Sequence, residues 1–312
     1  MNMKNPIMLF ACSISTSLLL GGCFGIDNAQ KSSSEQDPVD RPEDQYESVL
    51  TYTGDGYTLP GGEENEEIAK EHKDEVVSAT NEYLKKEYNT EVDIHNMVGN
   101  SDGVTVFYES KGPLHFYSTA IVPVDNSTKK ILKDEVTTIE GDVERSIKSA
   151  LYAYMWEDDF KALDDQITEI LDDHPSITGR TLASLQNVGG SGYMNPYYFV
   201  QASSTDEAIQ PLYEQYLQDP DTSKETYSKL FDGSQFESDH LLFNLNFFMK
   251  DPQDQPDKQI FNALIETVEA NNELPKGRYL IDLNDNYVLI RNSESYKQNT
   301  LGQDPTKGII KE

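Results

Sequence analysis

The sequence predicts an α+β fold in which helices pack on mainly antiparallel sheets. Two long stretches, at about residues 64–87 and 143–170, place apolar side chains at helical spacing. Short runs of β-branched and aromatic residues follow each of them, and turn-forming residues separate these runs. A helix laid over an antiparallel sheet buries the apolar faces of both, so we expect two subdomains, residues 51–140 and residues 141–312.

The first helix is defined by one apolar stripe. Ile68, His72, Val76, Ala79 and Tyr83 follow one another at spacings of four, four, three and four residues, which places them on one face. No second histidine or thiol accompanies His72, so we interpret it as a boundary or core residue and not as a metal ligand. Three strands in a meander are predicted next, at about residues 92–94, 104–108 and 116–124.

The second helical stretch begins after Asp142, which can cap it, and Pro175 ends the pattern. Acidic residues at 157–159 interrupt the apolar stripe, so the stretch is open to division into two helices. Trp156, the only tryptophan, lies at this interruption. We interpret it as a packing residue, because a sugar-binding platform usually has further aromatic and polar groups beside it.

The C-terminal half alternates between helical and strand patterns. Helices are predicted at 206–217 and 224–231, a strand at 241–249, and a helix that begins near Pro256. Residues 278–283 and 287–291 flank Asn284-Asp285-Asn286, which predicts a hairpin. Asp282, Asn284 and Asn286 also have the spacing of a calcium-binding loop, but Tyr287 replaces the required glycine, so we favour the hairpin.

A glycine-rich segment, 188–193, precedes the aromatic segment 196–200. It lacks the glycine spacing of a nucleophile elbow, a dinucleotide fold or a phosphate loop, and a glycine turn that leads into a strand is the simplest interpretation. The alternative is a binding groove with Tyr193, Tyr197 and Tyr198 at its rim.

No motif in the sequence indicates catalysis, a metal or a cofactor, and we therefore predict a non-enzymatic protein without a cofactor. The histidines are far apart in sequence: His72, His95, His115, His174 and His240. A triad that the fold assembles from distant residues would leave no trace in the sequence, so that alternative stays open.

The N-terminus has the plan of a signal peptide, with Lys4 followed by an apolar run at 6–20 that is too short to span a membrane. Leu20, Gly21, Gly22 and Cys23 come directly after it and resemble the lipobox of bacterial lipoproteins. This resemblance implies cleavage after residue 22 and a diacylglycerol anchor on Cys23, with fatty acids such as palmitate. The alternative is an ordinary secretory signal with a chance cysteine. Residues 23–50 are polar and predict a flexible tether.

The composition is strongly acidic, with 55 Asp and Glu against 25 Lys and Arg, a formal net charge of -30. Removal of residues 1–22 would take away one lysine and no acid. Such a surface repels polyanions, so we expect no nucleic acid partner. Cys12 and Cys23 are the only cysteines, and the mature chain would therefore have no disulfide.

Several segments together resemble a family of uncharacterised lipoproteins from bacilli and staphylococci, known as a domain of unknown function. The segments are 52–57, 63–65, 121–124, 188–193, 196–198, 248–250 and 309–312, so the resemblance extends over about residues 52–312. It implies a Gram-positive protein anchored at the extracytoplasmic face of the cell membrane. It carries no catalytic residues.

These observations favour a lipid-anchored module that binds an envelope protein or a wall component. A solute-binding lipoprotein of a transporter is the first alternative, and two doubly wound lobes around a cleft would support it. A hydrolase that acts on the cell wall is the second, and a buried histidine beside a serine or carboxylate in a cleft would support it.

Overall fold

The computed structural model describes residues 41–312, where helices pack on two main sheets, and the α+β prediction is confirmed. The predicted signal peptide, Cys23 and the tether up to residue 40 lie outside the described residues. Within 41–312, none of the helices is both long and apolar enough to cross a membrane.

The first half of the described chain contains two helices and a four-stranded antiparallel sheet. The helices are α1 (Glu63–Glu71) and α2 (Lys73–Tyr88), and β1 (Tyr46–Ser48) precedes them. The sheet has the order β2 (Val92–Asn100), β3 (Gly103–Ser110), β4 (Tyr117–Asp125) and β5 (Lys130–Ile131). The predicted meander is therefore confirmed and gains a short fourth strand. The predicted single helix is wrong, because His72 leaves helical geometry and separates α1 from α2.

The middle of the chain supplies α3 (Asp142–Met155), α4 (Glu157–Asp173), β6 (Ile177–Thr178), α5 (Leu182–Val188), β7 (Tyr193–Met194) and β8 (Tyr198–Ala202). The predicted division of the second helical stretch is confirmed. Asp142 is not the cap: Gly141 holds that position, and Asp142 is the first helical residue and pairs with Arg145. Trp156 packs between Tyr152, Phe231 and Phe236, which confirms its packing role.

The remaining elements are α6 (Gln210–Gln218), α7 (Lys224–Leu230), β9 (Leu241–Met249), α8 (Lys258–Ala270), β10 (Gly277–Asn284), β11 (Tyr287–Leu289), β12 (Leu301–Gly302) and β13 (Ile309–Lys311). Helix α6 begins four residues later than predicted; Asp206 lies before it, where its carboxylate accepts from the Ala208 backbone N–H and the Tyr152 hydroxyl. Asp257 caps α8 by accepting from two backbone N–H groups.

The second sheet has seven strands, in the order β12-β10-β9-β8-β7, with β6 on β9 and β13 on β10. Strands β9 and β10 are parallel and α8 connects them, whereas the other pairs are antiparallel. Helix α3 contacts both β4 and β8 and so lies between the two sheets. One hydrophobic core includes residues of both sheets, and residues 41–312 form one compact unit that includes the predicted boundary at 140.

Two predictions near the ends of the chain need correction. The hairpin of residues 278–291 does not form: β10 pairs with β9, β12 and β13, and β11 pairs with β1. The predicted tether is also too long, since β1 and residues 41–50 are part of the folded unit. Both errors involve the segment Asn284-Asp285-Asn286, which we call the polar junction. It is buried and is not an exposed turn, and Arg41 of the predicted tether pairs with its Asp285.

Asp285 is the centre of a buried ionic network in the polar junction. Its Oδ2 accepts from Arg41 Nη2 at 2.6 Å and from Asn299 Nδ2 at 2.9 Å, and its Oδ1 lies 3.0 Å from Lys297 Nζ. Only 3 % of the Asp285 side chain is exposed. Burial alone would raise the pKa of Asp285, but the charge of Lys297 and the hydrogen bonds from Asn299, Lys297 and Arg41 lower it below its usual value.

We expect Asp285→Asn to lower the free energy of unfolding by about 3–5 kcal/mol, because it leaves two buried cations without a counter-charge. Denaturant unfolding measures this change. Asp172→Asn, on the exposed face of α4, is the matched control and should stay within about 0.5 kcal/mol of the parent. Since the folded pKa of Asp285 is depressed, the difference should be present above about pH 4 and disappear as the pH falls through the lower folded pKa. Equal stability of the two variants would contradict the assigned role.

Candidate functional site

A cavity of about 460 Å³ opens beside β8, and we call it the β8 cavity. Five parts of the chain line it: Arg180, helix α5, the segment from Gly190 to Gln201, Asn246 of β9, and the loop 292–296 that follows β11. Its apolar surface comes from Leu185, Val188, Met194, Pro196 and Tyr197. A mostly apolar cavity with a few polar groups is the usual form of a small-ligand site.

Asn195 shapes the wall that carries the tyrosines. Its Oδ1 accepts hydrogen bonds from the backbone N–H groups of Tyr197 at 2.9 Å and Tyr198 at 3.0 Å. Its own backbone N–H donates to the Tyr198 carbonyl at 2.9 Å. This is the turn that an asparagine before a proline favours, and it fixes both rings relative to β8.

Gly179 allows the chain before α5 to approach this wall closely. A Cβ at Gly179 would lie 2.6 Å from the Tyr197 ring and would also collide with the Pro196 carbonyl oxygen. The next residue, Arg180, donates its backbone N–H to that carbonyl at 2.8 Å. The absence of a side chain at Gly179 therefore brings Arg180 to the cavity.

The Arg180 guanidinium lies in the cavity wall and is fixed from two sides. Nη1 donates to Ser293 Oγ at 2.8 Å, and Nη2 donates to the Ser293 carbonyl at 2.9 Å. The guanidinium also lies over the Phe248 ring, 5.5 Å from its centroid, at the distance of a cation–π contact. Burial lowers the pKa of Arg180 to about 10, so the group stays charged at neutral pH.

The structure brings together two of the three predicted groove residues. Tyr197 and Tyr198 line the β8 cavity, but Tyr193 lines a second cavity of about 380 Å³. The reason is the alternation of side chains along β7, since the neighbouring Met194 lines the β8 cavity. The single groove of three tyrosines is therefore wrong. Tyr198 connects the two cavities, because its hydroxyl donates at 3.0 Å to Asp164, which lines the second.

His115 lines the second cavity and belongs to a His–Glu–His cluster that resembles acid–base machinery. His115 Nδ1 lies 3.2 Å from Glu109 Oε1, and His95 Nε2 lies 2.9 Å from Glu109 Oε2. Burial lowers the pKa of His115, and the charge of Glu109 offsets this only in part. The residues that line this cavity include no serine, threonine or cysteine, so His115 has no hydroxyl or thiol of these types beside it in the lining.

Sequence reasoning missed Arg180, Asn195 and Ser293. The Asn195-Pro196 pair is a turn signal that could have been found, but Arg180 and Ser293 are 113 residues apart and have no local signature. Across residues 41–312, no group of three or more His, Cys, Asp or Glu side chains is arranged to hold a metal ion.

Comparisons with known proteins agree with the resemblance noted in the sequence. A family described as "Protein of unknown function (DUF1672)" matches residues 39–311. A crystal structure of a DUF1672 family protein from Staphylococcus aureus has a similar fold, with a TM-score of 0.69 and 17% sequence identity. The alignment covers 88% of this chain and 100% of that chain. None of the curated proteins is similar enough to count as a relative.

We expect Gly179→Ala to destabilise the protein by about 1–3 kcal/mol, because the added methyl group must displace the Tyr197 ring or the Pro196 carbonyl. Gly190→Ala is the matched control: a Cβ at Gly190, which lines the same cavity, meets no atom within 4 Å. That variant should stay within about 0.5 kcal/mol of the parent. Thermal and denaturant unfolding compare the two, and an unaffected Gly179→Ala variant would show that the contact is not tight.

Proposed function

The chain belongs to the DUF1672 family, and we propose that it is a lipid-anchored, non-enzymatic module that binds a ligand of the cell envelope in the β8 cavity. The main support for this proposal is the size and lining of the β8 cavity. It is about 460 Å³ in volume, which is within the range of small-molecule sites, and its polar groups are few and held in place. Asn195 and Arg180 both have fixed hydrogen-bond partners, so the site is formed before a ligand arrives.

The sequence before the folded unit supports the anchor. Leu20, Gly21 and Gly22 precede Cys23 in the order of a lipobox, and residues 24–40 separate Cys23 from the first described residue. Two acyl chains on Cys23 would hold the protein at the extracytoplasmic face of the membrane, because each buried CH₂ contributes about 0.8 kcal/mol. The net charge of -30 argues against nucleic acid as the partner.

The geometry favours a binding module over the two alternatives. A transporter receptor would have two doubly wound lobes, whereas residues 41–312 form one compact unit in which β9 and β10 are the parallel pair. A wall hydrolase would need a nucleophile or an activated water beside a base. His115 lines the second cavity and pairs with Glu109, but the lining residues include no serine, threonine or cysteine that it could activate.

We expect Cys23→Ala to release the protein from the membrane into the medium, because the thiol that would carry the diacylglycerol is absent. Cys12→Ala is the matched control, since Cys12 lies in the segment that cleavage would remove. Immunoblots of membrane and medium fractions measure the distribution. If Cys23→Ala stayed in the membrane fraction, the lipid anchor on Cys23 would be wrong.

We expect Gly190→Trp to block the β8 cavity, because a large side chain at this open position would occupy the cavity and need not displace the backbone. The measurement is ligand-observed NMR with a library of aromatic fragments and the full chain in detergent. Fragments of about ten heavy atoms should bind the parent in roughly the millimolar range. Gly233→Trp, at an exposed glycine outside the cavity lining, is the matched control and should keep this binding.

The proposed site would be rejected if the same fragments bound the parent and Gly190→Trp equally well. It would also be rejected if every fragment that bound the parent kept its binding in Gly190→Trp, or if no fragment bound the parent.

A further inference from the structure

Arg180 differs from the other arginines in how its charge is balanced. The sequence has five arginines, all of them in the described residues. Three form ion pairs with carboxylates: Arg41, Arg145 and Arg278. Arg291 is exposed to solvent. Arg180 is the partly buried arginine that forms no ion pair with a described carboxylate, although the chain has 55 acidic residues. A charge removed from water without a counter-ion is costly, so the site is electrostatically incomplete.

The guanidinium also has unused hydrogen-bond donors. Arginine has five N–H groups in a planar fork, and Ser293 accepts from two of them. Ser293 is the only hydrogen-bond partner of the Arg180 side chain within residues 41–312, so three of the five N–H groups remain available. Because Arg180 lines the β8 cavity, an acceptor that enters this cavity can reach the fork.

The loop 292–296 holds the guanidinium in place and also contains the acidic residue of the cavity lining, Glu294. Ser293 has a positive φ of 59°, an uncommon conformation for a residue other than glycine, and its carbonyl accepts from Arg180. Asn292 Nδ2 donates to Glu294 Oε2 at 3.2 Å, and the Glu294 backbone N–H donates back to Asn292 Oδ1. Glu294 lines the same cavity, but its carboxylate bonds to Asn292 and not to Arg180. The position beside the guanidinium is thus open for an external anion.

We propose that the β8 cavity binds an organic anion whose carboxylate or phosphate group pairs with Arg180, while its apolar part contacts Tyr197, Pro196 and Met194. The planar fork of arginine matches the oxygens of both groups, which is why arginine recognises them better than lysine does. The apolar lining accounts for the rest of the ligand. This inference rests on the function proposed above and names the chemical class of the ligand.

Three probes of similar size test the inference: benzoate, phenyl phosphate and the neutral benzamide. They are titrated against the full chain in detergent by ligand-observed NMR. At least one anion should bind at least tenfold more tightly than benzamide, because a charge-assisted hydrogen bond is stronger than a neutral one. The preference between benzoate and phenyl phosphate identifies which of the two groups the site selects.

Variants of residues in the cavity wall then test whether Arg180 causes the preference for anions. Arg180→Gln should reduce anion binding at least tenfold, to the level of benzamide, and leave benzamide binding unchanged. Arg180→Lys should bind the anion with intermediate affinity, since it keeps the charge and loses the fork. Glu294→Gln should strengthen anion binding and leave benzamide unaffected, because it removes a negative charge from the cavity. If Arg180→Gln also lost benzamide binding, the substitution would have damaged the cavity. The anion affinities of Arg180→Lys and Glu294→Gln would then test the anion site.

The two proposals fail in different ways. Equal binding of benzoate, phenyl phosphate and benzamide to the parent, abolished in each case by Gly190→Trp, would overturn the anion site and leave the binding cavity in place. Anion binding that neither Arg180→Lys nor Glu294→Gln alters would overturn the anion site as well. If Gly190→Trp affected none of the three probes, the binding cavity itself would be rejected.

Discussion

The buried carboxylate of Asp285 connects three distant parts of the chain, and much of the structure depends on it. Arg41 comes from the start of the folded unit, Lys297 and Asn299 come from the segment before β12, and Asp285 itself lies between β10 and β11. The flanking asparagines bind the end of β9: Asn284 Nδ2 donates to the Phe247 carbonyl at 3.2 Å, and Asn286 Nδ2 donates to the Lys250 carbonyl at 2.9 Å. The network therefore holds the N-terminal segment and the second sheet together around a carboxylate that is almost fully buried.

The polar junction also determines where the candidate site forms. Since β11 leaves the junction beside β1 and not beside β10, the loop 292–296 passes next to Arg180. The N-terminal segment supports the same region, because the Tyr52 hydroxyl donates to the Ile290 carbonyl at 2.7 Å and Thr181 Oγ1 donates to the Tyr52 carbonyl. Tyr52 thus connects the residue after Arg180 to the segment that leads into the loop 292–296.

The sequence predicted the elements that depend on local periodicity and missed the contacts that depend on distant partners. The apolar stripes of α2, α3 and α4 and the alternation in β3, β4 and β9 are local signals, and the structure has these elements. Asn284-Asp285-Asn286 has the composition of an exposed turn, but its partners are Arg41 and residues near 247–250 and 297–299, which no local pattern reveals. Tyr197 and Tyr198 were found as aromatic residues beside a glycine turn. Arg180 was missed because its acceptor, Ser293, is in another part of the sequence.

An anion site is compatible with a strongly acidic protein because the repulsion by the net charge and the attraction by Arg180 act over different distances. In physiological salt, repulsion between exposed charges is largely screened beyond about 8–10 Å, so the net charge of -30 acts mainly on polymers that must cover a wide surface. Inside a partly buried cavity screening is weaker, so the guanidinium of Arg180, which forms no ion pair with a described carboxylate, can attract an anion locally. A small organic anion would therefore meet local attraction, whereas a polyanion would meet the repulsion of the whole surface. The arrangement selects for ligand size as well as for charge.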